Sequence, residues 1–207
     1  MSQTTLDLWQ KQNWHPGNRA RLFTAVREHC GGDTALYPGS YVDIAASVVF
    51  PSVTYVDVDK RAARFFSDTA GVLEIIESEG GSPPETVSFV HSDYTAPLEV
   101  PSESFDVLIS LYAGFVSDSC TKYLRIGGVL LVNPSHGDAA MASIDRRYEL
   151  TAVVLSGSGT YRTRSEGLDD YLIPKAATTI TPTMLHERGR GIAYTRSPFA
   201  YLFTRVS

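Results

Sequence analysis

Short apolar runs alternate with helical patterns along most of this chain. Residues 1–17 hold Trp9, Trp14 and the turn-forming His15-Pro16-Gly17. From Asn18 the spacing predicts a helix, with Leu22, Phe23 and Val26 on one face and Arg19, Arg21 and Arg27 off it. Gly31-Gly32 stops that helix, and Thr34–Tyr37 is the first apolar run. Val53–Val58, rich in β-branched and aromatic residues, reads as a second strand. Lys60 to about Ser78 reads as one helix with Ala63, Phe66, Val72 and Ile76 inward, closed by the breaker cluster Gly80-Gly-Ser-Pro-Pro84.

Val87–His91 reads as a third strand. Phe105–Leu111 is a fourth, almost wholly apolar, as suits a central parallel strand covered on both faces. A helix over about Ser117–Leu124 runs to Gly127-Gly128, and Val129–Val132 is a fifth strand ending at Asn133-Pro134. A helix from about Asp138 to Arg146, a sixth strand near Leu150–Leu155 and a last strand at Phe199–Arg205 complete the series. This alternation predicts an α/β fold: an open, mostly parallel twisted sheet of about seven strands with helices on both faces. Residues 1–32 form an N-terminal helical extension, and residues 33–207 the main domain with a long 156–198 insertion before the final strand. Loops of that length in compact domains are usually functional or irregular.

A length of 207 residues suits one domain with a sizeable core. No window approaches the roughly 18 apolar residues of a membrane span. The stretch Met1–Leu8 lacks a basic region followed by an apolar core, so no secretory signal is visible and a cytoplasmic location is expected. Cys30 and Cys120 belong to no CxxC pair and read as free thiols, with no metal site expected. The net charge of −5 disfavours nonspecific nucleic-acid binding. It is unevenly spread: residues 1–155 hold 11 Lys and Arg against 19 Asp and Glu, whereas residues 156–207 hold 7 against 4. Either surface charge is simply uneven, or the carboxy-terminal part meets an anionic group. Arg162, Arg164, Arg188, Arg190 and Arg196 fall in that part, and Arg188-Gly-Arg-Gly-Ile192 joins charge to backbone freedom.

The candidate chemistry gathers at strand ends. Gly39 follows the first strand, where a glycine lets backbone approach a ligand. Asp57 and Asp59 lie about 20 residues further on, where an acid can accept both hydroxyls of a ribose. Asp57 is read as the ribose binder and Asp59 as the cap of the next helix. For Asp93, ligand binding and a turn closed on its own backbone stand level. Ligands of open α/β sheets bind beyond the carboxyl ends of the strands, where strand order reverses. Gly39, Asp57, Asp93, Ser110 and Asn133 all fall at such ends.

These positions, in this order, resemble a class I S-adenosylmethionine-dependent methyltransferase over roughly residues 33–155 plus the final strand. Tyr37, Pro38, Gly39 and Ser40 stand where that family has its glycine-rich first loop. Asp57, Val58 and Asp59 stand at its ribose-binding acid, and Ser92, Asp93 and Tyr94 where an acid meets the adenine amino group. Ser110, Leu111 and Tyr112 match the end of its fourth strand, which faces cofactor and substrate; Leu124–Val132 is similar to its passage into the fifth. The resemblance implies S-adenosyl-L-methionine as cofactor and an antiparallel last strand. One departure is plain. Gly39 stands alone, and Tyr41 takes the place of the family's next glycine, crowding the methionine end of the cofactor unless its ring turns away.

Methyl transfer asks a protein mainly for positioning, and for a base where the acceptor must lose a proton. Asn133 and His136 are the candidates beyond the fifth strand, His136 because imidazole titrates near neutral pH; Asp138 reads as a helix cap. The acceptor is expected to be a small molecule rather than a nucleic acid, with no membrane partner; its identity and the oligomeric state are not legible. The rival reading is a degenerate module that binds the cofactor or a protein partner without methyl transfer. A nicotinamide oxidoreductase is disfavoured, since no GxGxxG follows the first strand.

Overall fold

The computed structural model describes residues 2–15 and 17–207; Met1 and Pro16 lie outside the described residues, and with Pro16 the expected His15-Pro16-Gly17 turn. The strands are β1 (Thr34–Pro38), β2 (Ser52–Asp57), β3 (Thr86–His91), β4 (Phe105–Ser110), β5 (Leu124–Val132), β6 (Tyr148–Gly157), β7 (Thr160–Arg164) and β8 (Ala200–Arg205). They form one sheet in the order β3-β2-β1-β4-β5-β8-β6-β7. Pairing is parallel from β3 through β5. The last strand, β8, runs antiparallel to both neighbours, as expected, and β7 folds back on β6.

Side-chain alternation assigns each strand residue to one of two cores. Ala35, Tyr37, Val107, Ile109, Val129, Leu131 and Leu202 face one side, under α1 (Gln3–Gln12), α2 (Asn18–Cys30), α3 (Lys60–Ser67) and α4 (Thr69–Ser78). Leu36, Leu108, Leu130, Val132, Tyr201 and Phe203 face the other, under α5 (Val116–Cys120), α6 (Asp138–Ile144) and α7 (Pro182–Arg188). Strands apolar at nearly every position are what a sheet covered on both faces requires. Among the described residues no helix is long and apolar enough to cross a membrane, and both cysteines are free thiols.

Four local expectations are corrected. The sheet has eight strands rather than about seven, because β7 opens the 156–198 insertion as a hairpin arm. Its sequence, Thr-Tyr-Arg-Thr-Arg, has a single large ring; Tyr161 packs on Phe199 at 4.9 Å and its hydroxyl bonds to Asn18 Oδ1 at 3.1 Å. The expected single helix over 60–78 is two. Asp68 ends α3 and accepts from the Gly71 N–H at the start of α4, while its other oxygen takes the Ser2 N–H and the Thr5 hydroxyl. In α3 the inward residues are therefore Ala62, Phe65 and Phe66, and Ala63 stays half-exposed. Finally, β5 begins at Leu124, and the Gly127-Gly128 pair lies inside it, where its register with β4 slips between Phe105 and Val107.

Candidate cofactor and acceptor site

Strand order reverses between β1 and β4, so their carboxyl ends flank the crevice where open α/β sheets hold ligands. The first wall is the β1 loop. The Tyr37 ring is buried in the core, and its hydroxyl donates to Asp43 Oδ2 at 3.0 Å, so only its backbone reaches the loop. Asp43 is itself buried, with Arg19 Nε 3.3 Å away; burial lifts its carboxyl above the ordinary range against the pull of Arg19 and Tyr37. Pro38 and Ser40 are buried, the Ser40 hydroxyl meeting the Tyr41 carbonyl at 3.5 Å. Gly39 has φ +66°, and a Cβ there would lie 2.8 Å from Ala113 Cβ, with the Tyr94 ring at 3.8 Å. Close approach at this glycine is made by the chain's own loop after β4.

Asp57 closes β2 with both carboxylate oxygens engaged. Oδ2 accepts the Tyr41 N–H at 2.7 Å and Oδ1 accepts the Asp59 N–H at 2.8 Å. One lone pair per oxygen remains after these bonds. Asp59 caps α3 through the Arg61 N–H and pairs with the Arg61 guanidinium, which lowers its carboxyl. That guanidinium also lies 5.1 Å from the Tyr41 ring centroid. The Tyr41 ring thus sits beside Arg61 of α3. Val58 is exposed, and its carbonyl meets His91 Nε2 at 3.0 Å.

Beyond β3, Asp93 accepts the Thr95 N–H and hydroxyl at 2.9 and 2.8 Å, the turn closed on itself that was one of its two readings. The Ser92 hydroxyl donates to the Asp93 carbonyl at 3.3 Å. Tyr94 reaches further: its hydroxyl accepts the Gly114 N–H at 3.0 Å, tying the β3 loop to the β4 loop. Leu111 is buried and Tyr112 exposed at φ +59°, with its N–H 3.4 Å from Asn133 Oδ1.

Asn133, Ser135 and His136 form a directed chain. Asn133 Oδ1 accepts from Tyr112 and from the Ser135 hydroxyl at 2.9 Å. Having spent its proton there, Ser135 Oγ must accept from His136 Nδ1, 2.7 Å away. With Nδ1 as the donor, Nε2 is the ring nitrogen of the exposed His136 left to act as an acceptor. Asp138 is no cap: Gly137 holds that position, and Asp138 is the first residue of α6. Its buried carboxylate accepts the Ser110 hydroxyl and the Ser117 N–H and hydroxyl, and burial pushes it up to about 6. Ser110 is thereby turned below the crevice floor.

The solved structures similar to this chain include the O-methyltransferase TomG from Streptomyces achromogenes, involved in tomaymycin synthesis and in complex with SAM. The TM-score is 0.50 at 13% identity, over 79% of this chain and 87% of that one. This chain has the class I methyltransferase fold. An O-methyltransferase from Bacillus cereus in complex with SAH matches at TM-score 0.49 and 14% identity, over 79% of this chain and 89% of that one. An rRNA methylase from Streptococcus thermophilus matches at 0.47 and 11%, over 93% and 98%. No family model and no curated protein matches the sequence.

On this class I methyltransferase fold the insertion packs against the β5 loop. The Gly191 N–H donates to the Ser135 carbonyl at 3.0 Å, and a Cβ at Gly191 would lie 1.8 Å from the Pro134 oxygen. From α7, His186 contacts Asp118 at 3.0 Å and the Phe115 ring at 4.3 Å. Arg196 pairs with Asp170, Arg164 bonds the Glu166 carbonyl, and Arg162 lies on the β7 arm. The residues missed by sequence reasoning are Asp43, Tyr94's partner Gly114, Ala113 and Ser117. Each acts through a partner distant in sequence, which no spacing rule displays.

Proposed function

We propose that this protein is an S-adenosylmethionine-dependent methyltransferase acting on a small anionic acceptor. The observation that carries the reading is Asp57: a carboxylate at the β2 tip, held by two backbone N–H groups and keeping a lone pair on each oxygen for ribose hydroxyls. Val58, exposed beside it, offers an apolar flank for adenine, with Ser92, Asp93 and Tyr94 at its edge. These residues would hold the adenosine half of the cofactor. The methionine half would be held at the backbone around Gly39, against which Ala113 lies. The remaining first-loop residues, Tyr37, Pro38 and Ser40, contribute backbone.

Bound there, the cofactor would supply a sulfonium-activated methyl group to an acceptor lone pair. His136 Nε2 is the group that takes a proton from an acceptor hydroxyl. Asn133 fixes the polarity of that chain and holds Tyr112.

Calorimetry with S-adenosylmethionine, its demethylated product and NAD tests the cofactor class; binding of the first two and not the third is expected. Asp57→Ala should weaken that binding by about 1–3 kcal/mol. Unchanged affinity in a folded variant removes the ribose role. A second reading, a cofactor- or partner-binding module without turnover, is favoured by Ala113 lying against Gly39. Tight cofactor binding with no methyl transfer to any acceptor pool would select it.

A further inference from the structure

A cavity of about 480 Å³ lies between the N-terminal helical extension and the sheet, next to the crevice. Its walls carry Lys11, Trp14, His15, Arg19, Tyr112 and Phe199, with no carboxylate among its lining residues. In a chain whose first 155 residues are strongly acidic, that wall is locally cationic. Two of the chain's most exposed large aromatics meet there: Trp14 is 76% exposed and Tyr112 51%. The Trp14 ring stacks on His15 at 4.0 Å.

Arg19 is the central feature. Its side chain is only 25% exposed, its guanidinium carbon lies 4.9 Å from the Tyr112 ring centroid, and its Nε faces Asp43 at 3.3 Å. Asp43 stands behind the wall, buried and bonded to Tyr37 and Ala45. Among the described residues, no hydrogen bond from the terminal nitrogens of Arg19 is made. A fork of donors held by a carboxylate behind it and a ring beside it is pre-organised for a second carboxylate. Volumes of roughly 300–1,000 Å³ suit small organic ligands, and aromatic walls suit a planar one.

We infer that this cavity binds an aromatic carboxylate, its ring against Tyr112 and Trp14 and its anion on Arg19 and Lys11. Tyr112 is the residue before Ala113, which touches Gly39, and its N–H meets Asn133. A ligand on Tyr112 therefore lies beside the proposed methyl donor site. That this ligand is the methyl acceptor rests on the methyltransferase reading; that it binds does not.

The test is a fluorescence titration of the full chain without cofactor, using 4-hydroxybenzoate. Trp9 is buried, so quenching reports Trp14. The neutral 4-hydroxybenzyl alcohol and the non-aromatic cyclohexanecarboxylate should each bind at least about tenfold more weakly. Tyr112→Ala and Lys11→Gln should weaken 4-hydroxybenzoate several-fold, and Arg19→Gln about tenfold or more, with circular dichroism confirming each fold. If Arg19→Gln fails to fold because Asp43 loses its partner, the other two variants and the ligand pair still decide. Absence of quenching at millimolar concentration, equal affinity for the alcohol, or indifference to Tyr112→Ala and Lys11→Gln would overturn the proposal. Cofactor calorimetry is a separate measurement. Its failure with aromatic-anion binding intact sinks methyl transfer alone, and the converse leaves the cofactor reading in place.

Discussion

Replacing Asp138 by asparagine probes a buried acid beneath the crevice. The carboxylate is 1% exposed, beneath α6, with Ser110 and Ser117 as donors. Burial, reinforced by the nearby charge of Asp118, outweighs those bonds and lifts it from an ordinary value near 3.8 to about 6. Between those two pH values only the folded chain holds the proton. Stability therefore falls as pH rises through that window, by about 3 kcal/mol when the roughly two-unit shift is converted at about 1.4 kcal/mol per unit. Above about pH 6 the loss is complete. Asparagine has no charge to bury, the two serine hydroxyls can rotate to suit its amide, and its Oδ1 keeps the Ser117 N–H. Urea melts of both proteins from about pH 4 to pH 7, followed by fluorescence and circular dichroism, measure the difference. Asp138→Asn should gain on the parent protein as pH rises, by up to about 3 kcal/mol, with the change centred below about pH 6. A difference that stays flat across the range would refute the reasoning, because it would mean the acid is ionised throughout in both states.

Gly39→Ala combines a left-handed backbone with a contact on Ala113 and should cost about 1–3 kcal/mol, read as a lowered thermal midpoint. Gly191→Ala cannot keep the Gly191 N–H on Ser135, since its Cβ would overlap the Pro134 carbonyl; about 2 kcal/mol or more should be lost. Faster hydrogen exchange at residues 190–192 would report the undocked insertion. Burial pushes the Cys30 and Cys120 thiols up to about 11 and about 12. Both should react slowly with a disulfide reagent at about pH 8 in the native protein and fully in urea.

The central strands were legible because each is a run with apolar residues on both faces. Leu36 faces one core while Ala35 and Tyr37 face the other, and β4 repeats the pattern. The β7 arm escaped notice because it buries one ring among threonines and arginines. Helix α7 escaped too, although Thr181 before Pro182 and Gly189 after Arg188 are ordinary start and stop signals. At the site, the positions of Gly39, Asp57, Asp93 and Asn133 at strand ends followed from the pattern alone. Their bonds did not. Asp57 as an acceptor for Tyr41, Asp93 as its own turn and Asp138 beneath α6 depend on which N–H or hydroxyl is nearby after folding.

Sequence by itself determined the fold class and the strand ends where chemistry gathers, since both follow from hydrophobic period and chain order. Tertiary structure alone decided that Ala113 lies on Gly39, that Arg19 is clamped between Asp43 and Tyr112, and that Trp14 and Phe199 share one cavity. The physical reason is that local periodicity is written over a few neighbouring residues. Contacts between Arg19 and Tyr112, or Asn18 and Tyr161, join segments that become adjacent only when the sheet closes.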